Sequence, residues 1–540
     1  MQRVLMVKSF LRIVRPFGVA VAIAAAATTA QATPGRSPIV WHACPPGSIA
    51  AAAGGFTCAT VSVPLDYGAP HGPTIALALV KHAATDPRRR IGTLFTNPGG
   101  PGGQGLTQIP GWIDFFPTAL KARFDIVSWD PRGVGSSTAV QCFPSAEAEA
   151  AFLGDNADFP VTAAQQPAYI ATWTRFGARC AARNGALLAH VSTADTARDL
   201  DRLRALAGEP KLRYIGLSYG TILGATYANL FPDRVRALVL DGNIAPSNWR
   251  ATPPADAAQS ISMRIGTVAL TPRTFDDFLT LCGAAGTSRC AFSAGTPAAT
   301  RAKFGALVTR LRRGPIVLGP KTVTYTELLS EISEALLLAF PHPNDRVPSQ
   351  AVAGWSGMAA ALEAVWRARD AAAATPSAAP NASAPAASAP AASAPYAGPE
   401  QALAITCADV PVPPSSAFPA LARAVEARGG PIGLAVLWPD AACATWPIHT
   451  ASGIYRGPWK RRTAAPILVI GNTTDPSTPY ANAVGMAKEL ADARLLTVHG
   501  YGHTALLNPS ACANAAIVAY VIDGTLPRDG TVCPQNAAPF

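Results

Sequence analysis

The sequence predicts an α/β fold: a largely parallel sheet with helices on both faces, interrupted by a long, mostly helical insertion. Three observations carry this expectation. Short apolar runs bounded by Gly, Pro and Asp recur through the first part of the chain, with helix-like stretches between them. One of these runs passes directly into Gly216-Leu217-Ser218-Tyr219-Gly220 and then into a helix-like run, a strand–turn–helix junction. Sheet character is absent from about 247 to 450, where helical periodicity and proline-rich joints dominate, and it returns after 451.

The elements follow in order. A basic stretch to Arg15 precedes the apolar run Phe17-Gly18-Val19-Ala20-Val21-Ala22-Ile23-Ala24, and Ala30-Gln31-Ala32 supplies a small-x-small cleavage site. Residues 1–32 therefore read as an export signal, too short and alanine-rich for a comfortable spanning helix; an uncleaved anchor is the alternative. A first part of the α/β core is expected over 33–246. Ala59–Pro64 and Thr74–Val80 read as a hairpin, and Gly92–Thr96, Phe124–Trp129, Leu212–Ile215 and Val235–Leu240 as buried strands. The insertion is expected over 247–450. Within it, 371–399 is built mainly of Ala, Pro and Ser, cannot bury enough apolar surface to order itself, and is expected to form an exposed loop. The sequon at Asn381 carries no weight without the host. The C-terminal part of the core, 451–540, supplies the strand Ala465–Gly471, a helix near Ala481–Leu490 and the strand Arg494–Val498.

Composition narrows the function classes. Apolar residues make up 49% of the 540-residue chain and charged residues 14%, so a packed interior is assured. The formal charge of +11 includes Arg3, Lys8, Arg12 and Arg15 of the N-terminal segment. No basic block is interleaved with aromatics, which speaks against nucleic-acid binding. All ten cysteines lie after the cleavage point and none forms a C-x-x-C pair, which favours an oxidising compartment over zinc ligation. The simplest pairing joins sequence neighbours: Cys44–Cys58, Cys142–Cys180, Cys282–Cys290, Cys407–Cys443 and Cys512–Cys533. The destination is the periplasm or the medium. No metal or cofactor is expected, and no membrane association once the signal is removed.

The junction at Ser218 implies chemistry. Glycines at both flanks permit a turn too tight for side chains and push the serine into a strained, exposed conformation. A serine hydroxyl needs a base to take its proton, and the base needs an acid to fix its tautomer. Asp475 lies in the loop Gly471-Asn472-Thr473-Thr474-Asp475-Pro476 at a strand's carboxyl end, where such an acid belongs; a turn or capping aspartate is the bland alternative. His503, in the glycine-containing loop Gly500-Tyr501-Gly502-His503, is the candidate base. His499 is its rival, but abuts the strand and reads as a packed histidine. The remaining histidines show no metal-ligand spacing. Asn97-Pro98-Gly99-Gly100-Pro101-Gly102-Gly103-Gln104-Gly105 follows a strand and can bring backbone N–H groups to a developing negative charge. The expected donors are the N–H groups of Gly100 and Tyr219. A phosphate loop is the alternative, but neither G-x-x-x-x-G-K-[ST] nor a helix-opening G-x-G-x-x-G is present.

With these motifs the chain resembles an α/β-hydrolase of the prolyl-aminopeptidase-related group, and within it the secreted tripeptidyl-aminopeptidase-like branch. The resemblance rests on Gly99-Gly100-Pro101-Gly102, Asp130-Pro131-Arg132-Gly133-Val134-Gly135-Ser136-Ser137, the Ser218 turn, Leu240-Asp241-Gly242, Asp475-Pro476-Ser477-Thr478-Pro479 and Gly502-His503. The segment from Ser510-Ala511-Cys512 to Gly530-Thr531-Val532-Cys533 is also similar to that branch. It covers roughly residues 40–540. It implies Ser218 as nucleophile, His503 as base, Asp475 as orienting acid, a helical cap, and release of N-terminal residues from peptides. The chain departs from the group at Pro98, where a histidine is usual, and at Ala245, near which the branch often has an aspartate.

An exopeptidase must hold a free α-ammonium group, which needs carboxylates at the closed end of its pocket. Glu327, Glu331, Glu334, Glu363 and Asp409 are the acids available in the insertion. Asp409, beside Cys407, and Glu327 with Glu331, four apart on one helical face, are the preferred candidates. A solvated acidic face is the bland reading. The expected activity is that of an exported serine exopeptidase acting on peptides with a free N-terminus. An esterase on the same fold is the runner-up, and a silent hydrolase-like binding protein the third possibility.

Overall fold

Continuous apolar runs such as Leu94-Phe95 and Ala237-Leu238-Val239-Leu240 have no polar face to give to water, so they are suited to central parallel strands covered on both sides. The computed structural model describes residues 38–154, 158–341, 353–370, 396–447 and 453–540. The export segment, its cleavage site, most of the Ala/Pro/Ser stretch and Asn381 lie outside the described residues. The strands are β1 (His42–Ala43), β2 (Phe56–Pro64), β3 (Thr74–His82), β4 (Gly92–Asn97), β5 (Phe124–Trp129), β6 (Leu212–Leu217), β7 (Val235–Asp241), β8 (Ile316–Leu318), β9 (Lys321–Val323), β10 (Arg369–Asp370), β11 (Ile467–Thr474), β12 (Ala493–Tyr501) and β13 (Val532–Pro534).

Ten of these form one sheet in the order β1-β2-β3-β5-β4-β6-β7-β11-β12-β13. Pairing is antiparallel from β1 through β3 to β5 and parallel from β5 to β13. All six residues of β4 are buried, as continuous apolar runs require. The parallel strands β4, β6, β7, β11 and β12 point the same way, so their carboxyl ends and the loops that follow share one edge.

Between β7 and β11 helices dominate, notably Thr267–Ala285, Pro297–Arg313, Tyr325–Ala335, Gly354–Arg367, Pro399–Asp409 and Phe418–Leu437. The sequence reading missed the small antiparallel sheet β10-β8-β9. Its strands are two or three residues long, too short for a period-two pattern to register. Residues 38–540 form one compact unit. All five neighbour-to-neighbour disulfides occur in the structure.

A buried ion pair fixes the loop after β5. The Arg132 guanidinium donates in a fork to both Asp199 oxygens at 2.7 Å, and also to the Leu65 and His190 carbonyls. Both side chains are 0% exposed. Removing one partner of such a pair costs about 3–5 kcal/mol, because the other is left charged and unpaired.

The helix Pro399–Asp409 fastens the insertion to the core. Gln401 Oε1 accepts the Gly135 N–H at 3.0 Å, and within the insertion Cys407 is bridged to Cys443. A Cβ on Gly102 would come within 2.8 Å of the Ala402 nitrogen, so only glycine permits this approach. Beside these contacts Glu400, 0% exposed, meets Glu149 of the core helix Ala146–Leu153. The two carboxyls face each other over Gly398, where a Cβ would lie 2.1 Å from Glu400 Oε2 and 2.7 Å from Glu149 Oε2. The Tyr396 hydroxyl stands beside them, and no cation pairs with either among the described residues. Burial and then the neighbouring Glu400 carboxyl push Glu149 up to about 8, so the pair shares a proton at neutral pH.

Because this carboxyl is raised above its ordinary 4.5, its contribution to stability is complete below that value and is lost as pH climbs through about 8. Glu400→Gln removes one charge and keeps the shape. Thermal melts at pH 6 and pH 9 should show the wild type losing roughly 2 °C or more that the variant retains. An equal drop in both proteins would show that the pair does not hold this joint.

Candidate active site

The turn after β6 is built by what it excludes. A Cβ on Gly216 would lie 2.3 Å from the Gly220 carbonyl oxygen, and one on Gly220 would lie 2.9 Å from the Asn97 oxygen. Tyr214 donates its hydroxyl to the Gly220 carbonyl at 2.8 Å, pinning the start of the helix Gly220–Leu230. Ser218 between them has φ 56, a left-handed conformation unusual for serine. Its N–H donates to the Asp241 carbonyl at the end of β7 at 3.0 Å. Ser218 is half-buried while its neighbours on both sides are buried, so the hydroxyl-bearing residue alone reaches the surface of the cleft.

Asp475 follows β11 and is 0% exposed. Its Oδ1 accepts the N–H groups of Ser477 and Thr478 at 2.9 and 2.8 Å, and its Oδ2 accepts the Thr478 hydroxyl at 2.8 Å. His503, after β12, directs Nδ1 at Asp475 Oδ2 at 2.8 Å and Oδ1 at 3.0 Å. This fixes the tautomer with Nδ1–H donating and leaves Nε2 free to act as base. Burial alone lowers the basicity of His503, but Asp475, Asp241 and Glu334 together outweigh it and raise its pKa above the ordinary 6.5. His499 lies within β12 with its side chain exposed, not packed as expected from its place beside the strand.

Asp241 joins the two halves. Besides its carbonyl bond to Ser218, its carboxylate accepts the N–H groups of Ala505 and Leu506, both at 2.9 Å. The next residue, Gly242, has φ 71, and a Cβ there would lie 3.0 Å from His503 Cε1. Ser218 and His503 therefore flank the same backbone turn, although no hydrogen bond joins Ser218 Oγ to the imidazole in this structure. Such bonds commonly tighten only when substrate is bound. In the sequence Asp241 stands out only within Leu240-Asp241-Gly242, and its place at the end of a buried strand is the signal that marks it.

The glycine loop after β4 stands against the turn. A Cβ on Gly99 would lie 2.7 Å from Ser218 Cβ and 2.4 Å from the Leu217 oxygen. Among the described residues, neither the Gly100 nor the Tyr219 N–H donates to a protein acceptor. Two uncommitted N–H groups beside a serine can receive an oxyanion.

The candidate acids separate. Asp409, 3% exposed, accepts the Thr193 N–H and the Trp249 indole N–H, and Thr193 in turn bonds the Tyr219 hydroxyl at 2.6 Å. It is thus built into the support of Tyr219. Glu327 closes a capping box with Thr324 at the start of the helix Tyr325–Ala335. With Lys321 and Glu331 it lines a cavity of about 230 Å³ against the helix Gly354–Arg367. Glu363 pairs with Lys303 and Arg367. Glu331 and Glu334 open into a larger cavity of about 470 Å³, together with Thr267, Thr271, Pro476 and Ser477. Pro476 and Ser477 directly follow Asp475, so this cavity adjoins the candidate triad. Glu334 is among the acids the sequence offers but not among those it prefers. Which side of that helix meets the catalytic loop is decided by packing that helical spacing does not encode.

The family model described as alpha/beta hydrolase fold matches residues 92–384, and one described as TAP-like protein matches residues 431–533. Tripeptidyl aminopeptidase of Streptomyces lividans is 30% identical, covering 89% of this chain and 84% of that protein. Serine protease Hip1 of Mycobacterium tuberculosis is 29% identical, covering 89% and 88%. Carboxylesterase B of the same species is 31% identical, covering 88% and 86%.

Two outcomes are expected of this geometry. Ser218→Ala should lower kcat by about 10⁶ and Asp475→Asn by about 10⁴ with little change in melting temperature; single-turnover kinetics on any hydrolysed substrate measures both. His503 must be neutral to accept a proton, so kcat/KM should fall towards acid with a midpoint above the ordinary histidine value of 6.5.

Proposed function

This chain belongs to the α/β-hydrolase family, and on that premise we propose that it is an exported serine exopeptidase that releases N-terminal residues or short peptides through an acyl-enzyme. That it is a serine hydrolase with peptidase relatives follows from the family and from the aminopeptidase and serine protease it is similar to. The observation that carries the finer reading is the cavity beside the loop of Asp475, into which Glu331 and Glu334 open. A cleft lined by carboxylates favours an ammonium group over a carboxylate or phosphate.

In this reading His503 Nε2 takes the Ser218 proton as Oγ attacks the scissile carbonyl. The N–H groups of Gly100 and Tyr219 receive the oxyanion, the leaving amine takes the proton from His503, and water releases the acyl group by the reverse sequence. Glu331 and Glu334 hold the peptide's free N-terminus, while Asp409 and Glu327 serve Tyr219 and the helix start. Export is supported by the signal-like N-terminus and the five disulfides. Among the described residues no helix is long and apolar enough to cross a membrane.

An esterase is the second reading, favoured by the similarity to carboxylesterase B. Purified mature protein should be assayed on aminoacyl and tripeptidyl anilides, with free and acetylated N-termini, beside short acyl esters. Acetylation should reduce kcat/KM at least ten-fold, the scale of one unpaired charged contact. Equal turnover of free and blocked anilides would sink the exopeptidase reading, and ester-only turnover would establish its rival.

A further inference from the structure

The joint between the insertion and the core holds two acids that no side-chain cation compensates. Glu400 is 0% exposed, and neither of its carboxylate oxygens accepts a hydrogen bond. Glu149 is 6% exposed, and its Oε2 is likewise without a donor. The oxygens converge beside Gly398. The position a Cβ would take there lies 2.1 Å from Glu400 Oε2 and 2.7 and 2.8 Å from the two Glu149 oxygens. Glycine is what keeps that space open. Among the described residues no Lys or Arg pairs with either carboxyl. Residues 371–395, which lead into Tyr396, contain no charged residue that could supply one.

Two carboxylates taken out of water and set face to face repel, and the interior screens them poorly. A shared proton cancels one charge. The remaining charge can be met only from outside the chain. The surroundings define what can meet it. The Tyr396 hydroxyl stands beside both carboxyls, so every polar group at hand offers oxygen. No further His, Cys, Asp or Glu joins the pair in a metal-holding group among the described residues. An all-oxygen set suits a hard cation and not zinc or copper, which favour imidazole and thiolate. Glu400 has no exposed surface, which leaves no entry for an organic ammonium group. Ala397 and Pro399 on either side of Gly398 are exposed, so a small ion has solvent close by.

We propose that Glu149 and Glu400 form a site for one Ca²⁺ ion, which staples the insertion to the core beside the glycine loop. Ca²⁺ accepts about six to eight oxygens in flexible geometry, and each carboxylate can bind through both of its own; the Tyr396 hydroxyl and water fill the rest. Mg²⁺ gives up its water reluctantly and demands a stricter geometry, so it fits an enclosed pair less well. The ion takes the place of the shared proton. Its effect runs along the helix Pro399–Asp409. Gln401 accepts the Gly135 N–H and the Ala402 backbone abuts Gly102, so fixing Glu400 also fixes the loop that stands against Ser218. No metal-ligand spacing marks this site in the sequence, because the two acids stand far apart along the chain.

The test uses the mature full chain, stripped with a chelator and melted near neutral pH with CaCl2, with MgCl2 and with neither. Ca²⁺ at about 100-fold its dissociation constant should raise the melting temperature by roughly 2 °C, and Mg²⁺ at the same concentration by less than half as much. Equilibrium dialysis with radiolabelled calcium should count one ion per chain. Glu400→Gln and Glu149→Gln should each lose both the rise and the ion. Gly398→Ala tests the space without altering a charge: Gly398 has φ −122, which alanine adopts freely, so the added methyl acts only by crowding the three oxygens. It should weaken Ca²⁺ binding roughly ten-fold or more, and it keeps the test open if a Gln variant fails to fold. A wild type that binds no calcium would overturn the proposal. Equal binding by the wild type and these variants would also overturn it, because the ion would then lie elsewhere.

Discussion

The bonds made by Asp241 are the constraint on which the rest of the site depends. Its carbonyl receives the Ser218 N–H and its carboxylate receives the N–H groups of Ala505 and Leu506. One residue at the end of β7 thus joins the turn after β6 to the loop after β12, across the intervening β11. Burial pushes this carboxyl up to about 6, with the Ala505 and Leu506 N–H groups and His503 pulling it back. It is ionised near neutrality because it is paid in hydrogen bonds from a backbone that has no other acceptor for them. Gly242 follows because His503 Cε1, Thr504 and Thr478 leave no room for a side chain at that point.

From this joint the site extends outward in two directions. On the core side, the Gly99 backbone closes on Ser218 and leaves the N–H groups of Gly100 and Tyr219 without protein partners. On the other side, the insertion holds the histidine loop through Leu337 and Ala339, both bonded to Asn508, and reaches the glycine loop through Ala402 and the loop after β5 through Gln401. The insertion therefore shapes the cavity and also buttresses two of the loops that carry the chemistry. A change in how it sits would be felt at the imidazole before it was felt at the serine, since the hydrogen bonds of Ser218 run to Asp241 and Thr221 of the core.

These two sides differ in how far the sequence revealed them. The Ser218 turn, Asp475 and His503 were legible because each sits where a strand ends, and strand ends are marked by an apolar run meeting Gly, Pro or Asp. The sheet was legible for the same reason, and the neighbour-to-neighbour disulfides because short separations left few simpler pairings. Contacts between distant residues were not legible. Glu149 and Glu400 are far apart in sequence and meet only because two helices from different parts of the chain converge over a glycine. The acids of the insertion show the limit most sharply. Helical spacing put Glu327 and Glu331 on one face, but Glu327 lines one cavity, Glu334 another, and Glu331 both.

That division bears on how such a protein acquires specificity. The groups proposed to break the bond are held by short-range backbone geometry and by one buried carboxylate, and little can be altered there without losing the alignment. The groups proposed to face the substrate's end stand on the helix Tyr325–Ala335, and Leu337 just beyond it bonds the histidine loop. A substitution one turn along that helix changes the charge in the cleft without touching the hydrogen bonds of Asp475 or Asp241. The helix Tyr325–Ala335 is the shared element: its acids line the cavity, and the residues that follow it are clamped to the backbone of His503, so repacking it to alter selectivity also bears on the position of the imidazole.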